Sequence, residues 1–170
     1  EEFEMIPFKR AFKARVDMCM TSHILFPQVD PKYPATLSEI FVKKLLKENN
    51  RFKGLVITDD LDMKALTKNY SPEEIPVLAL KAGCDLLLYC NEPLSPPRAL
   101  EAILNATVQG SLDKDYLEKL SQKVIAYKKE KIPNPDPLSF EEASQIIGRQ
   151  EHLSLAQAIR EGKVPEGITS

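Results

Sequence analysis

The sequence predicts an α/β fold built from parallel strand–helix units. Three short apolar segments of strand length each precede a longer segment whose apolar residues recur at helical spacing. Helix-start patterns and glycine or proline residues separate these segments. Because strands separated by helices pair in parallel through right-handed crossovers, we expect one parallel sheet of three strands, followed by C-terminal helices.

The first unit starts with a strand predicted over Val16–Ser22, which is rich in apolar residues. A helix is predicted over Leu37–Asn49, because apolar side chains recur there at helical spacing, at Leu37, Ile40, Phe41 and Leu45. Thr36 and Glu39 stand three residues apart, which is the spacing of a capping box. We therefore expect these two residues to start the helix.

The second unit centres on FKGLVITDDLDMKAL, Phe52–Leu66. Its short β-branched part, Gly54–Asp59, is typical of a buried strand in a parallel sheet. Ser71 precedes a proline and stands three residues before Glu74, which predicts a helix start with a capping box. The helix is expected to end just before Gly83, since glycine is the usual residue at a helix stop.

The third unit consists of a strand predicted over Cys84–Cys90 and a helix over Ser95–Gln109. A further amphipathic helix is expected over Leu112–Lys131. The proline-rich segment Ile132–Pro137 predicts a stiff linker. Ser139, with a glutamate three residues later, predicts a capping box at the start of another helix.

Composition excludes several classes of function. The chain has 170 residues, a net charge of −2 and 28% charged residues, which argues against nucleic acid or an anionic membrane as its partner. No apolar run approaches the roughly 20 residues that span a bilayer. The chain opens with EEFEM, so we expect no signal peptide, and its first residue need not be the native start.

The three cysteines suggest a reducing compartment. Cys19, Cys84 and Cys90 are odd in number, lie among apolar residues and show no metal-binding spacing. We therefore expect buried, reduced thiols, no metal site and a cytoplasmic location.

The chemistry is expected where the strands end. In parallel α/β folds, ligands bind at the carboxyl ends of the strands. Those ends carry His23, the pair Asp59 and Asp60, and the segment Cys90–Glu92, so we expect these groups to converge. Asp85 stands at the start of its strand, on the opposite side, where a structural role is expected.

Each of these residues also has a purely structural interpretation. A strand-end carboxylate often caps the next helix or faces water, and His23 could be a partly buried histidine with satisfied hydrogen bonds. Asp62 is expected to cap or solvate the turn after the second strand. His152 has no acidic or nucleophilic partner in its own segment, so a surface or packing role is expected for it.

The chain resembles glycoside hydrolase family 3, in particular its β-N-acetylglucosaminidase (β-hexosaminidase) branch. Four segments, taken jointly and in this order, carry the resemblance across about residues 5 to 130: EMIPFKRAF, DMCMTSHILFPQVDPKYPATLSEIFVKKLLKE, FKGLVITDDLDMKAL with its Thr-Asp-Asp-Leu-x-Met signature, and ALKAGCDLLLYC. They are similar to the lead into strand six of the family's barrel and to strands six, seven and eight.

The resemblance implies a (β/α)8 barrel and a retaining mechanism that needs no cofactor or metal. It makes Asp59, the residue after the threonine, the nucleophile. Asp60 would orient neighbouring groups or accept hydrogen bonds, and His23 would line the same sugar pocket. The implied substrate is a saccharide with terminal β-linked N-acetylglucosamine, derived from peptidoglycan.

The chain departs from the family pattern in what it lacks. The branch's acid/base motif, of the type Lys-His-Phe-Pro-Gly-His-Gly, is absent, and neither His23 nor His152 has that context. A full barrel needs about 200 residues and eight strands, whereas this chain offers three. We therefore expect residues 1–131 to be the last three units of a barrel, and 132–170 a linker and helical tail.

Several expectations follow for the chain by itself. Without the acid/base it should be inactive, and its open strand edges should drive self-association or pairing with the missing half of the barrel. One alternative is an inactive half-barrel that binds a sugar or a partner protein. Another is a haloacid-dehalogenase-like phosphotransferase, in which Asp60 is the nucleophile, Asp62 the acid/base and Mg²⁺ screens their charges.

Overall fold

The structure is a computed structural model that describes residues 3–134 and 136–163. The chain divides into two compact units, Glu1–Lys128 and Lys129–Ser170. Pro135 in the predicted linker, and residues 164–170 at the end of the predicted tail, lie outside the described residues. Among the residues that are described, no helix combines the length and the apolar character needed to cross a membrane.

The first unit alternates strands and helices as the sequence predicts. Its elements in chain order are α1 (Met5–Lys13), β1 (Met18–Met20), a 3₁₀ turn (Ala35–Leu37), a π-helix (Ile40–Asn49), β2 (Leu55–Asp60), α2 (Lys64–Thr67), α3 (Glu74–Ala82), β3 (Leu86–Leu88), α4 (Ser95–Val108) and α5 (Lys114–Lys131), the last of which continues into the second unit.

The three strands form one parallel sheet in the order β1-β2-β3, which confirms the predicted α/β class. Met18 pairs with Leu55 and Met20 with Ile57, and Ile57 in turn pairs with Leu86. The register between β2 and β3 becomes irregular after Ile57, before Asp60 pairs with Leu88. This irregularity falls at the carboxyl end of β2, next to the predicted site.

β1 and β3 are shorter than the predicted strands Val16–Ser22 and Cys84–Cys90. Single hydrogen bonds extend the pairing of β1 beyond its ends: the amide of Leu55 donates to Asp17 O (3.0 Å) and the amide of Thr21 to Ile57 O (2.9 Å). The apolar runs therefore locate the strands correctly and overestimate their length.

The predicted helix Leu37–Asn49 is wrong at its start. A 3₁₀ turn ends at Leu37, Ser38 is extended, and the π-helix begins only at Ile40. The predicted capping box of Thr36 and Glu39 does not form, because the hydroxyl of Thr36 is bonded elsewhere, to Thr21 and His23. A tertiary contact has therefore overridden the local pattern.

The buried side chains of this helix also differ from the predicted ones. Val42 and Leu46 are buried, whereas Ile40, Phe41 and Leu45 are only partly covered. The π-helix has more residues in each turn than an α-helix, so a pattern counted at α-helical spacing selects the wrong face.

The other helix starts follow their sequence patterns. The amide of Glu74 donates to Ser71 Oγ (3.2 Å), and the amide of Ser71 donates to the carboxylate of Glu74 (3.0 Å), which makes the predicted capping box. Gly83 ends α3 with a φ of +108°, in the left-handed region that favours glycine. α4 and α5 lie within two residues of their predicted bounds.

The core of the first unit lies between the sheet and its helices. Fully buried side chains come from β2, α2, α3 and the π-helix, among them Val42, Val56, Leu66, Ile75 and Ala79. The other face of the sheet is exposed at β1, where the side chains of Met18 and Met20 are 42% and 54% accessible. We call the face that carries Met18, Met20 and Ile57 the open face.

The amino end of the sheet is held by Asp85, as its expected structural role requires. One carboxylate oxygen lies 2.9 Å from Lys47 Nζ on the π-helix. The other accepts a hydrogen bond from the amide of Val56 (2.7 Å) and lies 3.1 Å from Lys123 Nζ on α5. This carboxylate therefore fixes β3 to β2 and to two helices.

The second unit contains the C-terminal helices that the sequence predicts, α6 (Phe140–Ile146) and α7 (Gln150–Arg160). Ser139 and Glu142 form the predicted capping box at the start of α6. His152 lies exposed on α7.

Candidate functional site at the carboxyl end of the sheet

The polar groups that follow the three strands meet at one end of the sheet, as strand polarity predicts. His23 follows β1, Asp59 and Asp60 end β2, and Asn91 follows β3. The His23 ring contacts the backbone carbonyl of Asp60 (Nε2 to O, 2.9 Å), and the side chain of Asn91 contacts the Asp60 carboxylate (Nδ2 to Oδ2, 2.5 Å). Asp60 is therefore the centre of the cluster.

Asp59 is half-buried and presents a carboxylate with one fixed oxygen. Its Oδ1 accepts a hydrogen bond from the amide of Asp60 (2.8 Å). Burial alternates along β2, with Ile57 and Asp59 partly covered and Thr58 and Asp60 buried, which places Asp59 on the open face together with Ile57. The neighbouring Thr58, on the other face, is fully buried, and its hydroxyl accepts a hydrogen bond from the amide of Leu88 (2.9 Å).

Asp60 is buried, and its carboxylate is held by neutral donors from three residues. Oδ1 accepts hydrogen bonds from the amides of Asp62 and Cys90 (both 3.1 Å), and Oδ2 accepts the bond from Asn91. Because these contacts occupy both oxygens, this carboxylate organises the loops around it. A nucleophilic Asp60, as the phosphotransferase alternative requires, would have to break them.

Asp62 likewise holds a loop. Its Oδ1 accepts a hydrogen bond from Ser95 Oγ (2.6 Å), and its Oδ2 accepts one from the amide of Glu92 (3.2 Å). Within the described part of the chain, no three His, Cys, Asp or Glu side chains are grouped so that they could hold a metal ion. The hydrogen bonds that occupy both oxygens of Asp62 count against its role as the acid/base in the phosphotransferase interpretation.

His23 has a protein partner at each ring nitrogen. Nδ1 lies 2.8 Å from the hydroxyl of Thr36, which in turn lies 2.9 Å from the hydroxyl of Thr21. Nε2 contacts the Asp60 carbonyl. A hydrogen bond between this ring and a sugar would therefore have to replace one of the contacts that the structure contains.

Thr36 and Asn91 are the site residues whose roles the sequence does not predict. Thr36 matched a capping pattern, and Asn91 was only one residue of a strand-end segment. Both make their contacts across more than 12 residues of sequence, Thr36 with His23 and Asn91 with Asp60. The sequence signal that points to Asn91 is its position shortly after β3.

Two further side chains near the carboxylates have shifted pKa values. Burial, and secondarily the Asp62 carboxylate, raises the pKa of the Tyr89 phenol, whose hydroxyl is buried and has no hydrogen-bond partner in the described chain. Desolvation, with a smaller contribution from the carboxylates of Asp60 and Asp59, raises the pKa of the Cys90 thiol. Both groups therefore stay protonated near neutral pH.

A family comparison covers most of the chain. Residues 1–127 match the model of the glycosyl hydrolase family 3 N-terminal domain. A curated β-hexosaminidase from Idiomarina loihiensis is 39% identical over 93 residues, which are 55% of this chain and 28% of that protein.

Solved structures agree with the family match. The glycoside hydrolase family 3 β-N-acetylglucosaminidase from Paenibacillus sp. FPU-7 superposes with a TM-score of 0.75 at 34% identity, over 81% of this chain and 26% of that chain. The β-N-acetylglucosaminidase from Thermotoga maritima gives 0.69 at 32% identity, over 74% and 28%.

The chain spans about a quarter of the length of these relatives, with shares of 26% to 28%. The match to the family model covers the three strands, their helices and the cluster of carboxylates. The chain therefore belongs to glycosyl hydrolase family 3.

Proposed function

We propose that this chain is the nucleophile-bearing part of a retaining β-N-acetylglucosaminidase, and that Asp59 is the nucleophile. One observation carries the proposal. Of the three clustered carboxylates, Asp59 has only one oxygen in a described hydrogen bond, whereas both oxygens of Asp60 and of Asp62 accept such bonds. A nucleophile needs a rigid carboxylate with an available oxygen, and Asp59 fits this requirement.

In the proposed reaction, a carboxylate oxygen of Asp59 forms a bond to the anomeric carbon while the glycosidic carbon–oxygen bond breaks. The leaving oxygen takes a proton from a general acid. Water then attacks the glycosyl–enzyme intermediate and gives its proton to the same group, now the base, and the Asp59 carboxylate is released. Asp60 supports Asp59 through its amide, without touching the reacting atoms.

The substrate and the compartment are also proposals. The Paenibacillus and Thermotoga proteins are named β-N-acetylglucosaminidases, so we propose a saccharide with terminal β-linked N-acetylglucosamine, of peptidoglycan origin. Cys84 is buried as expected, whereas Cys19 is only partly covered and Cys90 is exposed, so the prediction of three buried thiols is wrong. All three are free thiols, which supports our proposal of the reducing cytoplasm.

The test uses the complete open reading frame that encodes this chain. Asp59→Asn should lower kcat for an aryl β-N-acetylglucosaminide by roughly 10⁴-fold or more, as removing one member of a covalent catalytic unit does. Asp62→Asn is the matched control, because it changes a carboxylate that only holds a loop, and it should retain most of the activity. An Asp59→Asn enzyme within tenfold of the wild type would refute the proposal.

We further propose that the three strand–helix units are the last three of a (β/α)8 barrel, and that the isolated chain lacks its general acid. The order of the parallel strands and the exposed Met18 and Met20 on the open face support this. Such a piece should be inactive and should self-associate or bind the missing half of the barrel.

Light scattering with the isolated chain tests the last point. We expect its apparent mass to rise with concentration, and Met20→Lys, which places a charge on the open face, to reduce this rise. The matched control is Leu100→Lys, since Leu100 is 58% exposed on α4, away from the sheet. A monodisperse wild-type monomer would contradict the proposal.

A further inference from the structure

We infer that His23 is a positioning residue for the Asp59 carboxylate, and that a chain of hydroxyl groups from Thr21 and Thr36 fixes both its tautomer and its orientation. The inference rests on the proposed role of Asp59. In this inference His23 bonds other protein groups and positions Asp59. The family resemblance instead implied that His23 lines the sugar pocket.

The direction of each hydrogen bond follows from what each atom can do. A backbone carbonyl only accepts, so His23 Nε2 must carry a proton to bond the Asp60 oxygen at 2.9 Å. In the neutral ring Nδ1 is then an acceptor, and Thr36 Oγ1 donates to it across 2.8 Å. Because the hydroxyl hydrogen of Thr36 points to the ring, the Thr36 oxygen accepts a hydrogen bond from Thr21 Oγ1 across 2.9 Å. All three protons therefore point the same way along the chain.

The chain reaches Asp59 through the backbone of Asp60. The amide of Asp60 donates to Asp59 Oδ1 (2.8 Å), while its carbonyl accepts from His23 and from the amide of Met63 (3.1 Å). The backbone groups on both sides of the Asp60 Cα are thus bonded, and among these partners His23 is the one that lies far away in the sequence. If His23 released the carbonyl, only the amide of Met63 would still hold it. The backbone at Asp60, and with it the amide that bonds the proposed nucleophile, would then be less firmly fixed.

The hydroxyl of Thr36 is what makes the ring orientation unique. A flip of the imidazole about its Cβ–Cγ bond would place carbon atoms where the two nitrogens now bond, and both hydrogen bonds would be lost. Thr36 is fully buried. If its hydroxyl were removed, we therefore expect that water could not take its place as the partner of Nδ1. The side-chain hydroxyl groups of Thr21 and Thr36 are therefore linked to the backbone beside Asp59 through His23.

Nuclear magnetic resonance on the chain can test this, because it has only two histidines, His23 and the exposed His152. A His152→Gln variant assigns the His23 ring signals. At a pH where the ring is neutral, we expect the proton on Nε2, and a slowly exchanging Thr36 hydroxyl proton with a cross-peak to the His23 ring. A proton on Nδ1 would overturn the inference without any variant.

Two substitutions at one position then separate positioning from packing. Thr36→Val keeps the shape and removes the hydroxyl, and Thr36→Ser keeps the hydroxyl. We expect Thr36→Val to shift the His23 ring nitrogen signals and to speed hydrogen exchange of the Asp60 amide on the order of tenfold, while Thr36→Ser preserves both. Loss of stability in Thr36→Val with both readouts unchanged would also overturn the inference.

These measurements need no turnover, so they can fail or succeed separately from the activity test on Asp59. If Thr36→Val does not fold, the wild-type tautomer and the Thr36→Ser spectrum still decide the question. If Asp59→Asn remains active while the ring data are as expected, the hydrogen-bond chain stands and the proposed nucleophile falls.

Discussion

Two buried carboxylates hold opposite ends of the same sheet by different means. Asp60 at the carboxyl end and Asp85 at the amino end are each 7% exposed. Asp60 is surrounded by neutral donors, two amides and the side chain of Asn91. Asp85 is paired with two cations, Lys47 and Lys123, and accepts one amide.

The difference matters for what each end can do. A lysine beside a carboxylate compensates its negative charge and restricts its movement, which suits a contact that only holds secondary-structure elements together. Neutral donors hold Asp60 without bringing a full positive charge to the neighbouring Asp59, whose negative charge a nucleophile needs. The contacts at the amino end therefore suit attachment, and those at the carboxyl end suit the chemistry that we propose for Asp59.

The largest effect on stability should come from breaking the joint at Asp85. Asp85→Ala removes the carboxylate that pairs with Lys47 and Lys123 and leaves the buried amide of Val56 without an acceptor, while Lys123 keeps its bond to Gly54 O (3.1 Å). Loss of one partner from a buried ion pair costs about 3–5 kcal/mol, and we expect about 2–3 kcal/mol here, since Lys47 and Lys123 are themselves 25% and 40% exposed and can reach water. Urea unfolding of the isolated chain measures it.

Asp60→Asn is the matched comparison in the same experiment. The remaining side-chain oxygen can keep the two bonds from the amides of Asp62 and Cys90, whereas the new NH2 group meets another donor, the side chain of Asn91. We therefore expect the free energy of unfolding to fall by about 1–2 kcal/mol. The Asp85 effect should shrink between low and high salt, because it is an attraction between charges, whereas the Asp60 effect should change little. Equal salt sensitivity of the two stability losses would contradict the claim that ion pairs hold Asp85 while neutral donors hold Asp60.

A smaller effect on the free energy of unfolding should appear at low pH, because Asp30 is a third buried carboxylate. Burial raises the pKa of Asp30, but hydrogen bonds from Ser38 Oγ (2.6 Å) and from the amides of Lys32 and Tyr33 outweigh it and lower the pKa overall. A carboxyl whose pKa is lower in the folded state stabilises the fold above its unfolded pKa, about 3.9, and loses this contribution as the pH falls through its folded value.

Ser38→Ala should therefore reduce the steepness of acid destabilisation, because it removes one of the bonds that lower the pKa of Asp30. The measurement is the free energy of unfolding between about pH 6 and pH 2. The control is Ser95→Ala, which removes the hydroxyl that donates to a different carboxylate, Asp62. An unchanged slope in Ser38→Ala would mean that Asp30 does not contribute to the pH dependence.

The sequence predicts the strands and most helix starts because their signals are local. Gly54–Asp59 is apolar and β-branched, and the capping boxes at Ser71 and Ser139 involve residues three positions apart. Asp85 could be assigned a structural role from its position at the start of a strand. Strand polarity alone was enough to place Asp59, Asp60 and His23 at one end of the sheet.

The sequence fails where a residue's partner lies far along the chain. Thr36 fits a capping box, and only the folded chain shows that its hydroxyl bonds His23, 13 residues away. The clustered carboxylates look alike in sequence, and what separates Asp60 from Asp59 is its contact with Cys90, 30 residues later. Local patterns cannot contain such information.

The same separation has a consequence for synthesis of the protein. Both neighbours of β2 are parallel to it, so neither pair can form as a hairpin, and each needs a complete crossover first. Asp60 leaves the ribosome 30 residues before Cys90, which at 5–20 residues per second is roughly 2–6 s. During that interval the nascent chain already carries its three clustered carboxylates, whereas Cys90 and Asn91, which donate hydrogen bonds to Asp60, have not yet been synthesised. The site can therefore be completed only after synthesis of β3 and the loop that follows it.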